Sequence, residues 1–91
     1  MSTKKEGDSE SGHAAKKYTM AIAVRLSGVE SHRIRRFEEG GLLVPERTSG
    51  NQRLFSDEDV EVIGEAATLE DEGINVEGIK AILAIRTGDR R

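Results

Sequence analysis

The sequence predicts a mainly α-helical domain carrying one small β-hairpin. Three observations predict it. Two short helical segments, 20–27 and 31–39, are joined by three residues that include Gly28, which is the spacing of a helix-turn-helix. Gly50-Asn51 then lies between "LLVPERT" and "QRLF", a turn signal between two short extended runs. Two more segments with helical periodicity follow. A helix-turn-helix followed directly by a two-stranded ribbon is a winged layout, here with two further helices.

Each element has a local reason. Thr19 can cap "MAIAVRLS", which is apolar nearly all round apart from Arg25 and is therefore expected to be mostly buried. Gly28 ends it, and Val29-Glu30 turn the chain into "SHRIRRFEE". That second helix stops at Gly40-Gly41, where glycine can take a left-handed cap. Pro45 excludes a central strand but fits an edge ribbon. Ser56 opens the third helix, with Asp59 in the return position of a capping box. Asp57 and Glu58 suit the positive end of its dipole. Val60, Ile63 and Ala67 share one face, and Gly73 closes the helix. Asn75 caps the fourth, "VEGIKAILAI", with Val76, Ile79 and Leu83 on one side. Ile82 and Ile85 are left as either core or partner surface.

With 91 residues, a single domain over 18–86 is expected. Residues 1–17 hold no large apolar side chain beyond Met1, and residues 87–91 are short and polar. A flexible tail and a frayed C-terminus are expected there. The absence of cysteine removes disulfides, thiolate metal sites and Cys nucleophiles. No apolar run has membrane-span length, and the N-terminus lacks the apolar core of a secretory signal, so a cytoplasmic protein is expected.

The net charge of −3 hides a segregation. Residues 18–53 carry six Arg against four Glu, whereas residues 54–83 carry nine acids against Lys80 alone. One basic and one acidic face follow from this, either as partner surfaces or as plain solvated ones. On a helical wheel of 31–39, Ile34 and Phe37 turn to the core. His32, Arg35 and Arg36 fall on the opposite side with Glu39, and Arg33 lies at the flank. An arginine fork suits phosphate oxygens or the guanine edge, and a major groove admits one helix. The competing reading is a solvated helix whose arginines pair with Glu38 and Glu39.

Other chemistry lacks a pattern. His13 and His32 do not have metal-ligand spacing. The acidic runs 57–59 and 70–72 lack a calcium-loop pattern and are expected to be solvated helix surface. There is no Gly-rich phosphate loop and no Ser/His/Asp arrangement. Three aromatics are too few for a base-stacking platform. Neither an enzyme nor a cofactor is expected.

In "LSGV" (26–29), "IRRFEEGGLLVPERT" (34–48), "GNQRLFSDEDV" (50–60) and "EGINVEGIKAIL" (72–83), the chain resembles the N-terminal DNA-binding domain of MerR-family transcriptional regulators. "RTSGNQRLFS" is similar to the glutamine-synthetase repressor branch, and "DEGINVEGIK" to the heat-shock repressor branch. The resemblance implies a winged-helix fold and a bacterial, cytoplasmic, nucleoid-associated regulator. It also implies sequence-specific duplex DNA as partner, with a homodimer on inverted half-sites. By position, Arg35 matches the family's recognition-helix arginine, Arg53 its wing arginine and Arg47 the arginine after Pro. Arg36 stands where the family usually has a phosphate-contacting Tyr. Gln52 stands where many members have a wing Tyr. The expected DNA-contacting set is His32, Arg33, Arg35, Arg36, Arg47, Asn51, Gln52 and Arg53. The family normally continues into a dimerisation helix and often an effector domain. The alternative function is a winged-helix protein-interaction module docking through the acidic third and fourth helices.

A two-residue Gly50-Asn51 loop would set Thr48 opposite Arg53 and Arg47 opposite Leu54. Alternation then puts Arg47 and Arg53 on opposite faces of the ribbon, and Arg53 is the one expected to reach DNA.

Overall fold

The computed structural model describes residues 16–89 of the chain. Four helices and one ribbon follow in the expected order: α1 (Met20–Ser27), α2 (Ser31–Glu39), β1 (Glu46–Arg47), β2 (Arg53–Leu54), α3 (Asp57–Asp71) and α4 (Val76–Asp89). The predicted tail falls largely outside the described residues, as do residues 90–91. Residues 87–89, expected to be frayed, continue α4.

The caps form as the sequence suggests. Thr19 Oγ1 accepts from the Ile22 N–H at 3.4 Å. Ser56 Oγ accepts from the Asp59 N–H at 3.0 Å, and Asp59 Oδ2 accepts from the Ser56 N–H at 2.9 Å, completing the capping box. Asn75 Oδ1 accepts from the Gly78 N–H at 2.8 Å.

Helix α2 ends in a Schellman motif. The Leu42 N–H reaches Phe37 O at 3.0 Å and the Gly41 N–H reaches Glu38 O at 3.0 Å, with Gly41 at φ +84°. Gly40 itself is right-handed, so its need for glycine is different: a Cβ there would run into Val76 Cγ1 of α4.

Phe37, Phe55, Ile34, Ile63 and Ile79 are the largest fully buried side chains. They join the inner faces of α2, α3 and α4 to the base of the ribbon. Helix α1 departs from expectation. Only Ala23 is buried, while Leu26 is 53% exposed and Ile22 is also open. A helix this apolar has more apolar circumference than α2 and α3 can cover from one side. Ile85 is likewise exposed, at 65%, and so is not core.

The ribbon register differs from expectation by one residue. Arg47 pairs with Arg53 and Glu46 with Leu54. The Thr48 N–H reaches Gln52 O at 2.9 Å and the Asn51 N–H reaches Thr48 O at 2.8 Å. The loop is thus three residues, 49–51, with Asn51 rather than Gly50 at positive φ (70°), the three-residue turn that ends in a left-handed residue. One pairing beyond the ribbon was not foreseen. Tyr18 and Phe55 exchange both backbone hydrogen bonds, at 2.8 and 2.7 Å, and the Tyr18 hydroxyl donates to Asp57 Oδ1 at 2.6 Å. That bond favours the neutral phenol and raises the Tyr18 pKa. The entry to α1 is thereby pinned to the ribbon and to the start of α3.

Candidate nucleic-acid interface

Helix α2 is held by its two apolar residues. Ile34 and Phe37 are fully buried, which forces the polar residues of this short amphipathic helix outward. Arg35 is exposed and makes no ion pair among the described residues. His32 is also exposed, with Nδ1 3.3 Å from Glu30 Oε1.

Arg33 and Arg36 have a different fate. Arg33 is only 23% exposed; its Nε and Nη2 donate to Glu70 Oε1 at 3.1 and 2.8 Å. The same Nη2 reaches Asp71 Oδ1 at 3.0 Å and Ala67 O at 3.4 Å. Arg36 Nη2 donates to Glu70 Oε2 at 2.7 Å. Both guanidinium carbons lie 5.9 Å from the centroid of the buried Phe37 ring, at the outer limit of a cation–π contact. The acidic run 70–72 is therefore not simply solvated surface: two of its members dock α2 on α3. The Arg36 hydrogen bond lowers the Glu70 pKa, with burial opposing and Arg33 adding to the effect. The bond to Glu70 raises the Arg33 pKa in turn.

The ribbon is tied to α2 by a second carboxylate. Glu38 Oε1 accepts from Arg53 Nε at 2.6 Å, and Glu38 Oε2 accepts from Arg47 Nη2 at 3.1 Å. Partial burial alone would raise the Glu38 pKa. The two arginines outweigh it and hold the carboxyl below its usual range. The corrected register makes this possible. Residues directly opposite share a face of the ribbon, so Arg47 and Arg53 both reach Glu38 instead of pointing apart. Arg47 Nη1 also donates to Asn51 O at 3.1 Å and Oδ1 at 3.4 Å. Asn51 is thus occupied in bracing the turn. Gln52 is exposed at the ribbon tip, where its backbone N–H donates to Thr48 Oγ1 at 3.1 Å.

The structure therefore brings Arg47 and Arg53 together around Glu38, with Asn51 held by Arg47, and Arg33 and Arg36 around Glu70. Arg35, His32 and Gln52 stand outward. Sequence reasoning missed Glu38 and Glu70. The only signal was an excess of acids three or four residues from arginines, which would pair Glu38 with α2's own arginines rather than with the ribbon. Among the described residues no cluster could hold a metal ion, and no helix is long and apolar enough to cross a membrane.

A helix-turn-helix with an arginine-bearing outer face, followed by a ribbon bolted to the same helix, defines a winged helix-turn-helix domain. The family described as MerR HTH family regulatory protein matches residues 18–84, and the chain belongs to that family. It is 38% identical over 69 residues to the Streptomyces coelicolor protein named heat shock protein HspR, covering 75% of this chain and 46% of that one. It is also 38% identical over 77 residues to the transcriptional regulator GlnR of Bacillus anthracis, covering 85% of this chain and 60% of that relative. The chain thus spans about half the length of these curated relatives. The structure is similar to that of HiNmlR, a MerR-family regulator lacking the sensor domain and bound to promoter DNA. The TM-score is 0.71 at 25% identity, covering 79% of this chain and 55% of that one.

Proposed function

We propose that residues 18–86 are the DNA-binding unit of a transcriptional regulator. Helix α2 enters the major groove of a specific duplex site and the ribbon lies on the flanking backbone. The observation that carries this reading is Arg35. It is exposed on the outer face of a helix whose neighbouring arginines are already held, so its whole fork is available to a base edge or phosphate. The HiNmlR complex, in which a similar chain is bound to promoter DNA, supports the same reading. His32 and Gln52 are secondary contacts, and Arg36 is shared between Glu70 and the ligand. A cytoplasmic, nucleoid-associated, non-enzymatic protein follows from that role. The interaction-module alternative is weakened because Glu70 and Asp71, two acids of its docking face, are engaged by Arg33 and Arg36.

The test is selection of bound sequences from a random duplex pool, followed by titration of Arg35→Ala on the selected site. A consensus should emerge, with the spacing of its half-sites reporting whether a homodimer binds. Arg35→Ala should weaken binding by about 1–3 kcal/mol, the range of one good base contact, and leave the thermal midpoint unchanged. An Arg35→Ala variant that binds like wild type overturns the assignment of α2 as the reading helix.

A further inference from the structure

Arg47 and Arg53 face each other across the ribbon, where two like charges repel. Glu38, whose side chain is only 20% exposed, lies between them and accepts from both. The two arginines spend their donors differently. Arg47 uses Nη2 on Glu38 and Nη1 on Asn51, so both of its Nη groups are engaged although its side chain is 36% exposed. Arg53 uses only Nε, at 2.6 Å, and its two Nη groups have no partner among the described residues. A guanidinium gripped at Nε keeps a planar pair of Nη donors aimed away from the grip.

We infer that Glu38 is a positioning residue for nucleic-acid binding: it fixes the guanidinium of Arg53 so that its Nη edge meets a backbone phosphate, while Arg47 serves as a clasp and not as a contact. The inference rests on the DNA-binding reading and names the role of one side chain within it. Fixing the fork in advance removes side-chain entropy that binding would otherwise cost. A carboxylate on a DNA-facing surface is in itself repulsive to phosphate. Charge alone therefore predicts that its removal strengthens binding, whereas positioning predicts the opposite.

That opposition in sign is the test. The 91-residue chain and its Glu38→Gln variant are titrated by fluorescence anisotropy on a labelled duplex carrying the selected site, across a salt series, with folding checked by circular dichroism. Glu38→Gln should bind about tenfold more weakly, the loss of roughly one charge-assisted hydrogen bond. The slope of log affinity against log salt should become shallower by about 0.9 as one phosphate contact is lost. In a double-mutant cycle, Glu38→Gln should no longer weaken binding in an Arg53→Ala background. A folded Glu38→Gln that binds as well as wild type, or better, overturns the inference while leaving the DNA-binding reading intact. A wild-type chain that fails to bind any selected duplex overturns that reading first. Should Glu38→Gln not fold, Arg53→Lys and Glu38→Asp decide in combination. Arg53→Lys keeps the charge but, like Arg53→Ala, loses the Nη edge. Glu38→Asp keeps both charges and draws the carboxylate back by one methylene. Weaker binding by a folded Glu38→Asp, with no further loss when it is added to Arg53→Lys, supports positioning, and unchanged or tighter binding by Glu38→Asp refutes it.

Discussion

Glu38 and Glu70 each accept from two arginines, but they bind α2 to different neighbours and do opposite things. Glu38 belongs to α2 itself and grips the ribbon, leaving the Nη groups of Arg53 without a partner among the described residues. Glu70 belongs to α3 and draws Arg33 and Arg36 back toward the body of the domain. Five arginines on a helix and its wing look equivalent in the sequence. Their acceptors sort them into a presented one (Arg53), a clasp (Arg47), a dock (Arg33), a shared one (Arg36) and a free one (Arg35). What an arginine can offer a ligand is what its carboxylate neighbours leave unused.

The sharpest way to break this comparison is to remove each carboxylate and measure stability. Glu70→Ala leaves the part-buried Arg33 guanidinium with only Asp71 and a long bond to Ala67 O. It should cost about 1.5 kcal/mol in urea denaturation, above an exposed ion pair because three hydrogen bonds are lost and well below a fully buried one. Glu38→Ala frees a ribbon whose strands are two residues each and should cost about 1 kcal/mol. Equal losses, or a larger loss at Glu38, would mean that Glu70 is not the main dock.

Acid should expose the same difference more gently, because a protonated carboxyl still accepts a hydrogen bond. Both groups are held below the ordinary carboxylate value of 4.5. The unfolded chain therefore takes up protons at a higher pH than the native one. The stability they contribute is fully present above that value and is lost as pH falls through their lowered native pKa values. The thermal midpoint should fall below about pH 4.5 and fall less steeply in Glu70→Gln. Parallel curves for the two proteins would remove Glu70 from the acid response.

Much of the fold was legible because its causes are local. Thr19, Ser56 and Asn75 cap through bonds to residues three positions on, and Ile34 and Phe37 are three apart on one helix face. The ribbon register was not legible, although its turn was. Asn accepts a left-handed backbone more readily than other non-glycine residues, so "SGNQ" is compatible with a two- or a three-residue loop. Only the three-residue loop lets Arg47 and Arg53 reach Glu38 together, and Glu38 lies 9 and 15 residues away from them. The same holds for Arg33 and Arg36. Local spacing suggested pairs with Glu38 and Glu39, whereas the acceptor, Glu70, lies 37 and 34 residues on. The Tyr18–Phe55 pairing joins residues that no hairpin turn connects.

The smallest expected effect separates the two clamps most finely. Arg36 is 45% exposed and gives Glu70 one hydrogen bond, at 2.7 Å. Its remaining donors have no partner among the described residues, so it can serve Glu70 and a phosphate at once. The motif resemblance implies a phosphate-contacting Tyr at this position. Arg36→Tyr should therefore cost no more than about 0.5 kcal/mol of stability, since Arg33 still holds Glu70. At low salt its affinity for the selected duplex should be close to wild type. The salt slope, however, should become shallower by about 0.9, because a neutral hydroxyl releases no counterion. If the slope does not move, Arg36 belongs to Glu70 alone. The clamp on α3 would then withdraw both of its arginines from the ligand, and the charge that meets DNA would come from Arg35 and the residue that Glu38 presents.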